Sequence, residues 1–170
     1  MKTFGFAGWS GSGKTTLIEA LIPRFTTSGI RVSLIKHAHH AFDVDQPGKD
    51  SYRHRHAGAT EVLVTSANRW ALMHELRGAA ELTLEEAIAR MSPCDLLLIE
   101  GYKHHAGPKL EVWREANGKP LLSPSDPNVV ALACDGTPAG ASASLPRFKL
   151  DDAEGIAAFI LRHTGLNGKP

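Results

Sequence analysis

The run Gly8-Trp9-Ser10-Gly11-Ser12-Gly13-Lys14-Thr15 constrains this chain more than any other segment. Its pattern is Gly-x4-Gly-Lys-Thr, and each part has a separate physical duty. Glycines let the backbone turn its N–H groups inward around an anion, in conformations a Cβ would forbid. The Lys14 ammonium is expected to reach the β- and γ-phosphates of a nucleotide, and the Thr15 hydroxyl to bind Mg²⁺. A helix that starts here adds the positive end of its dipole to the same phosphates. The flanks agree. Thr3 to Ala7 is a short apolar run suited to a buried strand. Leu17, Ile18, Leu21, Ile22 and Phe25 follow at helical spacing, and Gly29 supplies a stop. Strand, glycine-rich loop and helix is the order a phosphate-binding loop requires. Trp9 is unusual in such a loop and has two readings: it covers the nucleotide, or it packs on a neighbouring element.

The remaining chain reads as strands alternating with helices. Arg31–Lys36 is a β-branched, alternating second strand, and 37–49 is a long loop holding Asp43, Asp45, Pro47 and Gly48. Asp50 or Ser51 is expected to cap a short helix through Ala57. Thr60–Thr65 and Arg69–Glu75 pair as a hairpin through Ser66-Ala67-Asn68. Leu82–Met91 is a helix with Thr83 as its N-cap and Glu85 and Glu86 in its first turn. Asp95–Glu100 is a near-continuous apolar run, the mark of a strand covered on both faces. Strands at Leu110–Arg114, Asn128–Ala133 and Arg147–Leu150 precede a closing helix over Asp151–His163. The loop-like stretch 135–146 reads as a surface connection.

This order predicts an α/β fold. It is a P-loop NTPase-like three-layer sandwich, with a mostly parallel sheet and helices on both faces. The 170 residues are expected to form one nucleotide-binding domain, 1–170. A net charge of +1 gives no electrostatic footprint for general binding to nucleic acid or a membrane surface. Cys94 and Cys134 form no disulfide or metal pattern, which fits a reducing cytoplasm. No apolar stretch approaches the ~20 residues a membrane span needs, and glycines interrupt the N-terminus too early for a signal peptide.

Ligands in parallel α/β sheets sit at the carboxyl ends of the strands. Three candidate segments follow such ends: the phosphate loop, the loop from His37, and Glu100-Gly101. A phosphate-loop site needs a carboxylate for Mg²⁺ or its waters. Asp95 opens its strand and so lies about 16 Å from the far end at ~3.3 Å per residue. Glu100 closes that strand and is the better candidate, with Gly101 allowing close backbone approach. Asp43, Asp45 and Asp50 are weaker candidates, since turn-forming Asp residues and helix caps account for them equally well. Seven of the nine histidines fall in three groups: His37, His39 and His40; His54 and His56; His104 and His105. The pair His37-x-His39 is a weak suggestion of zinc, without cysteine ligands to support it, and solvent-exposed polar loops are the plain alternative. Together with Lys36, Arg53, Arg55 and Lys103, the histidines are expected to form a cationic rim for a second phosphorylated ligand or an acidic partner.

Three stretches carry a resemblance to a known family: GWSGSGKTTL, KHAHHAFDVDQPGKDSYRHRHAGA and DLLLIEGYK. In order and spacing they are similar to the molybdopterin-guanine dinucleotide biosynthesis protein B (MobB) family. The His- and Asp-rich motif at 36–59 is the specific part. The resemblance spans essentially the whole chain. It implies a cytoplasmic GTP-binding protein, usually dimeric, with at most slow GTPase activity. It also implies an adapter role to the guanylyltransferase that joins GMP to the molybdenum cofactor, with molybdopterin itself a further candidate ligand. Carried over, Gly8, Ser10, Gly11, Ser12, Gly13, Lys14, Thr15 and Thr16 would bind the phosphates. Thr15 and Glu100 would hold Mg²⁺, Lys14 and Glu100 would be the catalytic pair, and Gly101 would complete a Walker B-like position. The Asn-Lys-x-Asp motif frequent in guanine-specific GTPases is absent from the sequence. Asp135, after the strand at 128–134, is the nearest carboxylate that could accept from guanine N1 and N2. Its alternative is an Asp-Gly turn.

Two other readings compete. A small-molecule kinase would share the phosphate loop but should carry an Arg-rich lid and a base for the acceptor hydroxyl, and the sequence offers no compact lid. Arg53 and Arg55 are candidate arginine fingers. A metal-binding chaperone would use the His groups and should purify with stoichiometric metal.

Overall fold

The computed structural model describes residues 1–38, 42–102 and 104–166. The sequence expectations on His39, His40 and Lys103 lie outside the described residues. In chain order the elements are β1 (Lys2–Ala7), α1 (Lys14–Thr27), β2 (Val32–Lys36), α2 (Asp50–His56), β3 (Glu61–Thr65), β4 (Trp70–His74) and α3 (Leu84–Ala89). They continue with β5 (Leu96–Glu100), β6 (Lys109–Trp113), a 3-10 turn at Glu115–Asn117, β7 (Val129–Cys134), β8 (Arg147–Lys149) and α4 (Ala153–Thr164). The chain divides into two compact units, Met1–His37 with Glu86–Pro170, and Ala38–Glu85.

In the first unit six strands form one sheet in the order β2-β5-β1-β6-β7-β8. Every pairing in it is parallel. This is the expected α/β class, with the parallel character complete. Phe4, Phe6, Leu96, Leu98, Leu110 and Val112 project from one sheet face into a core with Leu17, Ile18, Leu21 and Phe25 of α1 and Ile156 and Ile160 of α4. Burying each such side chain contributes roughly 1.5–3 kcal/mol. Alternation sends Lys109 and Glu111 to the opposite face, where the segment after β6 covers them.

Local chemistry sets the element ends. Gly29, at φ +75°, lets α1 finish in a Schellman arrangement, with the Ile30 N–H donating to the Phe25 carbonyl at 3.1 Å. Both side chains are buried, so the cap also closes the core. The Asp152 carboxylate caps α4 by accepting the Gly155 N–H at 2.9 Å. Helix α3 is shorter than the sequence predicts. It starts directly after Thr83, and the Arg90 and Met91 N–H groups reach back only three residues, to Ala87 and Ile88. Among the described residues no helix is long and apolar enough to cross a membrane.

The second unit holds α2 and a two-stranded antiparallel hairpin in which Leu63 faces Leu72 and Thr65 faces Trp70. The expected Ser66–Asn68 turn closes it, the Ser66 N–H donating to the Arg69 carbonyl at 2.8 Å. The predicted cap of α2 is corrected. Helix α2 begins at Asp50 after an extended Lys49, and no side chain caps it. Ser51 instead donates its hydroxyl to Asp45, and Asp50 lies 3.8 Å from Arg53.

Arg55 is also corrected, as neither a rim cation nor a finger. Its guanidinium pairs with Asp43 at 2.8 Å, Asp45 at 3.2 Å and Glu75 at 2.6 Å. These ion pairs raise its pKa further. The hydrogen bond from Arg55 holds Asp43 below the ordinary carboxylate range. Burial would raise Asp45, but bonds from Ser51, the Gln46 N–H and Arg55 outweigh it and lower its pKa. Asp43 and Asp45 are thus committed to holding their own unit together.

Candidate functional site

The parallel sheet brings the ends of β1, β5 and β2 side by side. Glu100 is in register with Phe6 on one side and Lys36 on the other. The phosphate loop, Glu100-Gly101 and the end of β2 therefore share one edge of the first unit, the edge where parallel sheets hold ligands.

The loop's backbone requires glycine at its start. Gly8 sits at φ +140°, and a Cβ there would lie 2.3 Å from the Val112 carbonyl oxygen. Gly11 and Gly13 also adopt positive φ, and Gly13 stands at the N-terminus of α1. Lys14 curls over the loop, donating to the Gly8 carbonyl at 2.8 Å and the Trp9 carbonyl at 2.9 Å. Its ammonium is thereby held over the loop backbone. Ser12 is 1% exposed, and its Oγ has no hydrogen-bond partner among the described residues. An orphaned hydroxyl inside a loop of this type suits an anionic ligand. Ser10 and Thr16 are exposed at the loop's tip and at the first turn of α1.

Thr15 and Glu100 meet directly: the hydroxyl donates to Glu100 Oε1 at 2.9 Å. Glu100 is 6% exposed. Lys36 Nζ lies 3.3 Å from Thr15 Oγ1 and 3.3 Å from Glu100 Oε2. A cationic group already rests on this hydroxyl–carboxylate pair, so the donor set suits a positive ion. Gly101, at φ +107°, follows. A Cβ on it would lie 2.7 Å from His37 Cβ, so only glycine lets the chain turn here past the end of β2. Asp95 stands at the opposite end of β5, bonded to the Arg31 backbone N–H at 2.8 Å and to its guanidinium.

Two contributors, Arg114 and Asn117, escape a reading of the sequence. Arg114, just past β6, lies beside the loop, its Nη2 3.3 Å from where a Cβ on Gly13 would be. Its other terminal nitrogen pairs with Asp135 at 3.4 Å. Asn117 donates to the Ser10 carbonyl at 3.2 Å. The Trp9 indole N–H donates to the Pro120 carbonyl at 2.7 Å, with Lys119 over its ring. Trp9 therefore packs on a neighbouring segment, the second of its two readings. The only local signal for these contacts is the Gly118 turn after β6, and it does not say where the segment folds back.

Asp135 follows β7 and also accepts the Glu115 N–H at 2.8 Å. Beside it opens a cleft of about 720 Å³ lined by Arg114, Asp135, Thr137, Arg147, Phe148 and Lys149, among others. That volume lies in the range of small-molecule sites. Among the described residues no group of three or more His, Cys, Asp or Glu is arranged to hold a metal. Within the first unit His37 lies against Tyr102, with ring centroids 4.7 Å apart.

Comparisons with known proteins point to one family. The family model described as molybdopterin guanine dinucleotide synthesis protein B matches residues 3–135. The molybdopterin-guanine dinucleotide biosynthesis adapter protein of Escherichia coli (strain K12) is 45% identical over 159 residues, covering 92% of this chain and 89% of that protein. The adapter protein of the same name from Haemophilus influenzae is 43% identical over 129 residues, covering 76% of this chain and 72% of that one. The crystal structure of Bacillus subtilis MobB superposes with a TM-score of 0.76 at 25% identity, over 96% of this chain and 98% of that chain. The chain belongs to the molybdopterin guanine dinucleotide synthesis protein B (MobB) family.

Proposed function

We propose that this chain is a cytoplasmic GTP- and Mg²⁺-binding adapter in the making of molybdopterin guanine dinucleotide. It assists the guanylyltransferase that joins GMP to molybdopterin, and hydrolyses GTP at most slowly. The observation that carries this reading is the junction of a phosphate loop with Thr15 and Glu100 at the strand ends, in a chain 45% identical to a named adapter.

In this reading the N–H groups of the 8–16 loop and the dipole of α1 surround the β- and γ-phosphates. Gly8, Ser10, Gly11, Ser12, Gly13 and Thr16 shape and line that cradle, with the Ser12 hydroxyl gaining a partner. Lys14 exchanges its two backbone carbonyls for phosphate oxygens. Thr15 and Glu100 hold Mg²⁺, which when bound neutralises charge across the phosphates. Gly101 keeps the backbone close to the terminal phosphate. Arg114 adds a second cation beside Gly13, oriented by Asp135. The cleft beyond Arg114 takes the purine, and Asp135 reads guanine N1 and N2 from its rim. Residues 1–170 act as one nucleotide-binding protein.

A homodimer completes the reading. The hairpin of the second unit exposes Leu63 (58%), Trp70 (67%) and Leu72 (50%), and a two-stranded sheet has both edges open. That surface is suited to a second copy.

The adapter reading predicts slow chemistry, because the sequence motif carries no evident catalytic base and no compact Arg-rich lid. Steady-state GTP turnover by the purified chain should fall far below the roughly 1–100 s⁻¹ of kinases. Turnover in that range, or a labelled phosphate passed to a small metabolite, would replace the adapter with an enzyme.

A further inference from the structure

The geometry points to Lys36 as an internal counter-cation that holds the metal position of the site until Mg²⁺ displaces it. This rests on the nucleotide–Mg²⁺ reading above and goes beyond it by naming what competes with the metal.

Three groups converge. The Thr15 hydroxyl donates to Glu100 Oε1 at 2.9 Å, and Lys36 Nζ lies 3.3 Å from both Thr15 Oγ1 and Glu100 Oε2. The Glu100 side chain is only 7% exposed, whereas that of Lys36 is 52% exposed. A carboxylate so buried is costly without a compensating charge. Lys36 supplies that charge. The register fixes the arrangement, since β2 pairs with β5 so that Lys36 lies directly beside Glu100.

A dication bound by Thr15 and Glu100 would stand a few ångströms from this ammonium and be repelled by it. Lys36 must therefore withdraw when the metal arrives. Its half-exposed, flexible stem permits that at little cost, because the head simply moves into water. The consequence is a threshold. Glu100 stays compensated at low Mg²⁺, and nucleotide is held firmly only once Mg²⁺ is abundant enough to displace the lysine.

The test uses the full-length protein, Lys36→Met and Lys36→Arg. Mn²⁺ binding without nucleotide is measured by electron paramagnetic resonance. Binding of a non-hydrolysable GTP analogue is measured across a Mg²⁺ titration and in EDTA. Lys36→Met should bind Mn²⁺ about tenfold more tightly than the natural chain, and the half-saturating Mg²⁺ for the analogue should fall by a similar factor, the effect of removing one partly screened charge. Lys36→Arg should behave like the natural protein. Analogue affinity in EDTA should stay within about twofold, because only the metal competes with Lys36. Equal or greater Mg²⁺ demand in Lys36→Met would overturn the proposal, as would equal Mn²⁺ affinity. Loss of analogue affinity in EDTA would overturn it too, by making Lys36 a phosphate ligand. If the natural chain binds no analogue at any Mg²⁺ concentration, the nucleotide reading fails, and the Mn²⁺ comparison still decides the role of Lys36. A thermal melt of each variant separates these effects from loss of fold.

Discussion

Replacing Glu111 with Leu tests how the segment beside the phosphate loop is held. Glu111 is fully buried on β6, and its two oxygens accept the Leu122 N–H at 2.6 Å and the Ser123 N–H at 2.9 Å. Hydrogen bonds to a charged group contribute about 1.5–3 kcal/mol each, so two are worth roughly 3–6 kcal/mol before correction. Removing a buried carboxylate also removes its desolvation cost, and the freed N–H groups can turn toward water. A net loss of about 2–4 kcal/mol remains. With a urea m-value of roughly 1–3 kcal/mol/M, the unfolding midpoint should fall by roughly 0.7–4 M. Hydrogen exchange should locate the damage. Amides across 118–126 should lose protection, while those of β1 and β5 lose it only as far as global stability falls. The effect should reach the site, because Pro120 in this segment holds the Trp9 indole. A variant within about 0.5 kcal/mol of the natural protein, with unchanged protection at Leu122 and Ser123, would refute the claim that Glu111 fastens the segment.

Gly8→Ala should cost about 1–3 kcal/mol in stability and weaken GTP binding, since its φ of +140° disfavours a side chain and the new Cβ would run into the Val112 carbonyl; calorimetry of binding together with a thermal melt checks both. Acid lability should trace to named carboxylates. Burial would raise Asp126, but the Lys109 ammonium and the Asn128 N–H overcome it and lower its pKa, and Asp43 and Asp45 are lowered as described. A carboxyl with a depressed folded pKa contributes stability that is full above its ordinary value of 3.8 and is lost as pH falls through the folded value. Stability should therefore drop steeply below pH 3.8, and Asp126→Asn should make that limb shallower; an unchanged limb in thermal melts across pH would contradict the assignment. Arg114→Gln should weaken GTP binding roughly tenfold or more through loss of a cation beside Gly13, with an unchanged affinity in calorimetry as the contrary result.

What the sequence made legible was local. The strand-loop-helix of residues 3–27 carries its pattern, its glycines and its stop within one continuous stretch. The hairpin at 60–75 announces itself by a β-branched run at 60–65, a short turn, and a second run at 69–75 with Trp70, Leu72 and Met73. Asp95–Glu100, apolar almost throughout, identifies a strand covered on both faces, and all five residues of β5 are buried. Glu100 could be preferred to Asp95 because strand length alone separates them.

The remainder depends on contacts between distant segments. That Lys36 reaches Thr15 and Glu100 follows from β2 lying beside β5, and strand order is not written in either strand. Arg55 looked like a free cation in a basic stretch. It is the fold of 42–75 that surrounds it with three carboxylates. Lys109 and Glu111 alternate with Leu110 and Val112 and so look like the wet face of a strand. They are buried because β6 is central in the sheet, between β1 and β7, where both faces are covered. Their burial then required partners, and Asp126 and the backbone of 122–123 supply them.

The proposed function requires that the loop at 8–16 hold GTP with Mg²⁺ in this chain. Calorimetry of GTP binding in the presence of Mg²⁺, on the natural protein and on Lys14→Ala, tests it most directly. Saturable binding of GTP in preference to ATP is expected for the natural chain. Lys14→Ala should bind at least about a hundredfold more weakly, through loss of charge-assisted bonds to phosphate, with little change in folding stability. GTP binding that is unaltered in Lys14→Ala, or absent from the natural chain, would contradict it.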